Sequence, residues 1–443
     1  SRYFGPQGRR GARKGAGCFV EGPEWAAHCC CFTMERKRGA ADPGFGLKIS
    51  PSVVLRNLLQ QYPSGGQFFL EALQNADDTG RAGKFCALLD LRKHPCSSLR
   101  QPAAPRAHLQ GEAVVFYDDA GFQPRDWRSL QFMCDSAKRQ SPHEAGVFGM
   151  GSRSFFHITD VLQVLSGSLL SALDPDDLLA GGHFGEQVDF VEEALLEHFP
   201  DECAPFLGVF GCDMRTEFRG TLIRASLRPQ ERAQHCTFMP RAFDLGRAKR
   251  IFSEFQEVLK NGEVVLFLSS VAKIELWRWD PGAAEPTLIT RTGLGASSGH
   301  ALPRAPSGPR EVKAYLKSFG SFADIEAALR AEGAAPPRIL DVVETLTEGP
   351  EAGPFRHRWL RYGRFLQDPD VLRLVGECSC VPAVALALPL GHRAEGSLFA
   401  TLPLPLPTRL PVHASASFRL HDNRRAIWRA GQGLDGEHRL WAE

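Results

Sequence analysis

The chain has 443 residues, 43% hydrophobic and 23% charged, which is enough apolar material for a sizeable core and more than the roughly 100–200 residues of one ordinary domain. Lysine plus arginine (52) nearly balance aspartate plus glutamate (51). No field of one sign therefore favours nucleic acid or an anionic membrane, and any phosphate binding must be local. No run of about 18 apolar residues appears and the N-terminus lacks the apolar centre of a signal peptide, so a soluble, cytoplasmic protein without a membrane segment is expected. The 12 cysteines are scattered. Cys86, Cys134, Cys203 and Cys236 lie in apolar runs and read as reduced core thiols. Neither His28-Cys29-Cys30-Cys31 nor Cys378/Cys380 has the paired spacing of a zinc site.

In chain order, residues 1–43 are rich in Gly, Ala, Arg and Cys without periodicity and read as a disordered leader, with Met34 a candidate natural start. Ser50-Pro51 is an N-cap followed by proline at the first helical position, and Val53, Val54, Leu58 and Leu59 give that helix its stripe as far as Gln61. Ser64-x-x-Gln67 has the form of a capping box, opening a second helix that Gly80 closes. Phe85–Leu91 and Ala113–Tyr117 read as a strand hairpin, with the Pro- and Ser-rich residues 95–110 as an exposed insertion. A short helix from Ser152 and strands at Val161–Ser166 and Gly220–Leu227 follow, separated by the acidic, amphipathic residues 167–200. Residues 44–235 thus form one α/β domain, and 236–443 a second. The second opens with an amphipathic helix through Ile251, Phe252, Phe255, Val258 and Leu259, ended by Asn261-Gly262. Strands are expected at Val264–Leu268 and Lys273–Trp279, a flexible loop at 280–310, a helix at 311–330, and strand-like runs broken by prolines at 396–428.

Two stretches could carry chemistry. At about 100° per residue, Glu71, Asn75 and Asp78 share an arc of roughly 60° on the second helix, opposite Phe69, Ala72, Leu73 and Ala76. By itself this is a wet surface or a ligand-facing wall. The loop GVFGMG sets Gly146, Gly149 and Gly151 directly before a helix, where free amides and the helix dipole attract phosphate. It is neither the G-x-G-x-x-G dinucleotide fingerprint nor a G-K-[ST] phosphate loop, and alone it reads first as a structural turn. Asp118-Asp119-Ala120-Gly121 after a strand, and Gly220-Thr221 opening another, are ordinary turn chemistry when taken singly.

Taken together and in this order, the features resemble the Bergerat-fold (GHKL) ATPases, the superfamily of gyrase B, the ninety-kilodalton heat-shock chaperones, histidine kinases and MutL. Within it the chain is most similar to the sacsin-type repeat. The similar stretches are YPSGGQFFLEALQNADD (62–78), VVFYDDAGF (114–122), SAKRQSPHEAGVFGMGSRSFFHITD (136–160), FRGTLIRASLR (218–228), VVLFLSSVAKIEL (264–276) and FATLPLPLPTRLPVHASASFRLHDNRR (399–425).

The resemblance implies a Bergerat-type two-layer α/β sandwich followed by a domain like a chaperone middle domain, with ATP and Mg²⁺ as cofactors. It assigns Asn75 to Mg²⁺ and Glu71 to the attacking water, and it sets Asp78 nearer the sugar or base. Asp119, with Asp118 as the alternative, would read adenine through its exocyclic amine beside Gly121, although the family pattern D-x-G-x-G appears here as Asp119-Ala120-Gly121-Phe122. Thr221 would support the adenine pocket. Phosphates would rest on the amides of Gly149, Gly151 and Ser152 in the Gly146–Gly151 loop, with Lys138 as a counter-charge and Arg424 or Arg425 reaching the γ-phosphate. Two functions compete. One is a chaperone module that hydrolyses ATP slowly, with client proteins and the seventy-kilodalton chaperone system as implied partners. The other is a scaffold that holds ATP without turnover.

Overall fold

The computed structural model describes residues 50–61, 65–131, 151–179, 181–295, 308–331, 333–350, 354–378, 380–418, 420 and 427. Helix α1 (Pro51–Gln61) buries Leu55 and Leu59. Helix α2 (Gln67–Asp78) is built from strong helix formers and buries Phe69, Ala72, Leu73 and Ala76 on one stripe. It ends as expected at Gly80, whose φ of 67° suits glycine. Its start differs from expectation: Gly66 is the N-cap, with no side-chain cap. The helix therefore begins beyond the Gly65-Gly66 pair, whose helix propensity is poor, and Ser64 lies outside the described residues.

Among the described residues fourteen strands form one sheet. They are β1 (Lys84–Asp90), β2 (Ala113–Asp118), β3 (Leu162–Gly167), β4 (Leu169–Leu173), β5 (Gly185–Asp189), β6 (Phe218–Ser226), β7 (Lys273–Trp279), β8 (Thr287–Leu294), β9 (Ile339–Glu348), β10 (Phe355–Phe365), β11 (Ala383–Leu390), β12 (Ser397–Ala400), β13 (Leu402–Pro407) and β14 (His413–Ala416). Their order in space is β13-β12-β14-β11-β10-β9-β8-β7-β1-β2-β6-β3-β4-β5. β1 and β2 pair antiparallel as expected, Phe85 opposite Asp118 and Asp90 opposite Ala113. The parallel pair β1–β7 joins strands from either side of residue 235.

The main core lies between one face of this sheet and the helices. Phe69 stacks on Phe255 at 4.6 Å and meets Phe116 edge-on at 5.3 Å. Phe255 belongs to a helix, Leu245–Leu259, whose N-cap Asp244 accepts the Arg247 amide at 2.7 Å. With Pro124–Gln131 as α3, this helix is α4. Each buried phenylalanine stabilises the fold by about 1.5–3 kcal/mol. Over β1–β4 and β6 the second face is also covered, by Phe190, Leu195, Phe206 and Val209 packed on Val115, Leu165 and Leu222. Cys86, Cys203 and Cys236 are buried free thiols, while Cys134 lies outside the described residues.

Several local expectations are corrected. Val264–Leu268 is not a strand: a 3-10 turn, Glu263–Val265, follows Gly262 at φ 69°. Val264, Val265 and Leu266 are all fully buried, and a short apolar run buried on every side has no period that separates strand from turn. The expected loop 280–310 contains β8; the surrounding Pro and Gly residues mask the β-branched TLITRT run. The single helix expected at 311–330 is two, α5 (Pro309–Lys317) and α6 (Phe322–Arg330), divided where the Ser321 hydroxyl caps the Asp324 amide. The insertion 95–110 is anchored: Arg106 is 3% exposed and binds Glu186 and Glu202 at 2.7 and 2.8 Å, and Arg100 binds the same pair.

Candidate functional site

Strand pleating decides which aspartate after β2 faces the helices. Val114 and Phe116 point into the main core while Val115 and Tyr117 face the opposite side, so Asp118 is the next side chain on the α2 side. The neighbouring strand supplies Thr221, directly opposite Asp118 and 1% exposed. The Thr221 hydroxyl donates to the Ala120 carbonyl at 2.8 Å. The Ser166 hydroxyl, at the end of β3, donates to the Gly220 carbonyl at 2.6 Å and accepts the Phe122 amide at 2.8 Å. Asp118, Thr221, Ser166 and the 120–122 turn are thus one hydrogen-bonded unit. Gly220 has φ 140°, and a Cβ there would lie 2.6 Å from the Asp118 carbonyl oxygen, so only glycine lets β6 run this close.

The two aspartates have different work. Asp119 is exposed, and its Oδ1 accepts the amides of Gly83 and Lys84 at 2.8 and 3.0 Å, fastening the turn to the start of β1. Asp118 accepts the Ala120 amide through Oδ1 at 2.9 Å. Among the described residues its Oδ2 has no hydrogen-bond partner. Asp118 is crowded by protein yet partly open to solvent, as a residue on the floor of a concavity is, and burial pushes its carboxyl up to about 7. Gly121 is exposed and its carbonyl accepts from Arg81 at 3.1 Å.

A carboxyl raised from 3.8 to about 7 binds its proton more tightly in the folded state than in the unfolded chain. Its contribution to stability is therefore present at acid pH and lost as pH rises through about 7. Melting curves at about pH 5.5 and about pH 7.5 are expected to show a larger loss of stability with pH in the wild type than in Asp118→Asn; equal slopes would contradict this assignment.

On α2, Glu71 is 1% exposed and Asn75 partly exposed. The helix packs on the 3-10 helix Gly151–His157, whose Phe155 stacks on Phe116 at 5.1 Å. Gly151 and Ser152 open this 3-10 helix. Asp78 faces Lys313 of α5, with Nζ 3.4 Å from Oδ1. Sequence reasoning passed over Asp77, although it stands on the apolar stripe eight residues after Phe69. Its carboxylate accepts the amides of Ser269, Ser270 and Val271 at 2.7–3.2 Å, hydroxyls of both serines, and Lys313 at 3.4 Å. Burial works to raise this carboxyl, but Lys313 and these hydrogen bonds outweigh it and hold it below the ordinary range. A charge on an otherwise apolar stripe was the available signal for Asp77; Ser166 and Lys313 had none. Lys138, Gly146, Gly149, Arg424 and Arg425 lie outside the described residues.

Residues 50–291, more than half of the chain, match the family model described as the Sacsin domain. Human Sacsin is 28% identical over 457 aligned positions covering 98% of this chain, and the chain spans 10% of that protein's length. A solved structure, the N-terminal domain of a DNA repair protein, is 12% identical with a TM-score of 0.35, over 84% of this chain and 91% of that one.

Proposed function

Because this chain belongs to the Sacsin domain family, we propose that it is a chaperone module of Bergerat type that binds Mg·ATP between α2 and the floor formed by Asp118 and Thr221. The observation that carries the reading is the Oδ2 of Asp118 on the α2 side of the sheet, without a hydrogen-bond partner among the described residues and an acceptor suited to an exocyclic amine. Asp119, which points to the other side of the pleat and whose Oδ1 fastens the Gly83 and Lys84 amides, is set aside as the adenine reader in favour of Asp118.

The residues present fit the cofactor. Asp118 accepts the amine, and Thr221 and Ser166 hold the 120–122 turn so that the carboxyl keeps its direction. Asn75 offers its side-chain oxygen to Mg²⁺, which when bound supplies charge neutralisation to the phosphates. Glu71, one helical turn away, orients the attacking water and takes its proton. The amides at Gly151 and Ser152 receive phosphate oxygens. In this reading Lys138 and Arg424 or Arg425 add positive charge, nucleotide occupancy drives lid closure and domain docking, and client proteins and the seventy-kilodalton chaperone system are the partners.

A second reading, a scaffold that holds ATP without hydrolysis, is favoured by the closure around Glu71, which at 1% exposure gives water little access. Phosphate release separates the two. Under hydrolysis, Glu71→Gln is expected to bind Mg·ATP as the wild type does while turnover falls by about 10²-fold or more. Equal rates in the two proteins would remove Glu71 from the chemistry, and release in neither would leave the scaffold.

A further inference from the structure

The sheet is covered unevenly. Over β1–β4 and β6 both faces are packed, whereas over β9, β10 and β11 the described residues pack on only one. There the inward side chains are the odd-numbered ones. Trp359 and Ala387 pack on Leu266, Phe267 and Phe399, and Phe365 packs on helices α6 and Pro369–Cys378, α7. The even-numbered side chains point the other way.

On that outer face the register sets Leu340, Tyr362 and Leu386 side by side, and Val342, Leu360 and Leu388 in the adjoining row. Leu340 is 36% exposed, Tyr362 40% and Leu386 37%. Contiguous apolar side chains of this size on an open face mark an interaction surface more often than single exposed leucines do.

The same face carries two carboxylates, Glu344, directly across from Arg358, and Glu348, but the charges left without an ion-pair partner among the described residues have one sign. β10 presents Arg358 and Arg364, both exposed, on either side of Leu360 and Tyr362. Of the nearby carboxylates, Glu344 is held by Arg356 at 3.1 Å and Glu348 by Arg291 at 3.7 Å. Among the described residues neither Arg358 nor Arg364 has a carboxylate partner. Six residues of strand separate them by about 20 Å, and an α-helix with its side chains is roughly 10–12 Å across. A helix laid over the two apolar rows, across the strands, would therefore have one guanidinium along each flank.

We propose that this face docks an amphipathic helix of a partner protein, one whose apolar stripe is bordered on both sides by carboxylates. The docked helix would form a third layer that the described residues do not supply over this half of the sheet. The inference stands on register, exposure and charge, and is independent of nucleotide binding.

The test uses the full chain and two synthetic amphipathic peptides of about 18 residues, long enough to form a helix. They share a leucine stripe; one carries glutamates on its polar face, the other lysines. Fluorescence anisotropy is expected to show binding of the Leu/Glu peptide and at least tenfold weaker binding of the Leu/Lys peptide. Reversing both charges, Arg358→Glu with Arg364→Glu, is expected to invert that preference, and Tyr362→Ser with Leu386→Ser to weaken both peptides. Unchanged circular dichroism checks that each variant is folded. Failure of the Leu/Glu peptide to bind, or equal binding of both peptides whatever the sign at 358 and 364, would overturn the proposal. So would a concentration-dependent dimer in sedimentation that Tyr362→Ser abolishes, since the occupant would then be a second copy of this chain.

Discussion

Replacing Asp77 with alanine is expected to produce the largest loss of stability of any single change on α2. One carboxylate accepts three consecutive backbone amides, from Ser269 to Val271, and faces Lys313, all within a site where Asp77 is 1% exposed. Removing it leaves three buried or partly buried amides without their acceptor, while the Lys313 ammonium keeps the Asp77 carbonyl at 2.7 Å and Asp78 at 3.4 Å. Each buried group left unsatisfied costs about 1–3 kcal/mol, together a large share of a total stability of about 5–15 kcal/mol. Asp77→Asn keeps the shape and one acceptor oxygen, so its cost should be roughly half as large. Urea midpoints measure both. A shift below about 1 kcal/mol for Asp77→Ala would show that the 269–271 turn is held by something else.

The second large effect is a separation of two adjacent residues. Asp118→Asn turns an acceptor into a group that presents a donor to an exocyclic amine. Loss of a charged hydrogen bond worth about 1.5–3 kcal/mol should weaken nucleotide binding by roughly 10- to 150-fold with little change in fold. Asp119→Ala should do the reverse. It leaves the Gly83 and Lys84 amides to water, lowers stability by about 0.5–1.5 kcal/mol, and leaves nucleotide affinity near that of the wild type. Calorimetric titration with Mg·ATP beside thermal unfolding reads both quantities. If Asp119→Ala abolished binding while Asp118→Asn did not, the pleat argument would be wrong.

Much of the first half of the fold was legible because its signals are local. The apolar stripe of α2, Gly80 at its end and the alternation along β6 each follow from spacing alone. What was not legible depended on pairing. Val264–Leu268 carries strand-like composition, and only the surrounding core makes it a turn. β8 was hidden by flanking prolines and glycines. At the site, the resemblance put Asp119 first and Asp118 second, and spacing alone could not weigh the two. That choice depends on which residue of β2 continues the inward pleat, and so on register with β1 and β6. Asp77 shows the complementary limit: a partner such as Lys313, 236 positions away, appears only when the chain is folded. The bare outer face of β9–β11 was equally invisible, since its rows exist only through cross-strand alignment.

We propose that the wall formed by α2 and the floor at Asp118 bind an adenine nucleotide with magnesium. Calorimetric titration of the wild-type chain with Mg·ATP near pH 7, repeated in phosphate and in Tris, tests it most directly. Saturable one-site binding is expected, and the measured heat should differ between buffers by the release of about half a proton, because the Asp118 carboxyl titrates near 7 and gives up its proton to accept the amine. No binding at millimolar Mg·ATP, or binding whose heat is the same in both buffers and is unaffected by Asp118→Asn, would contradict it.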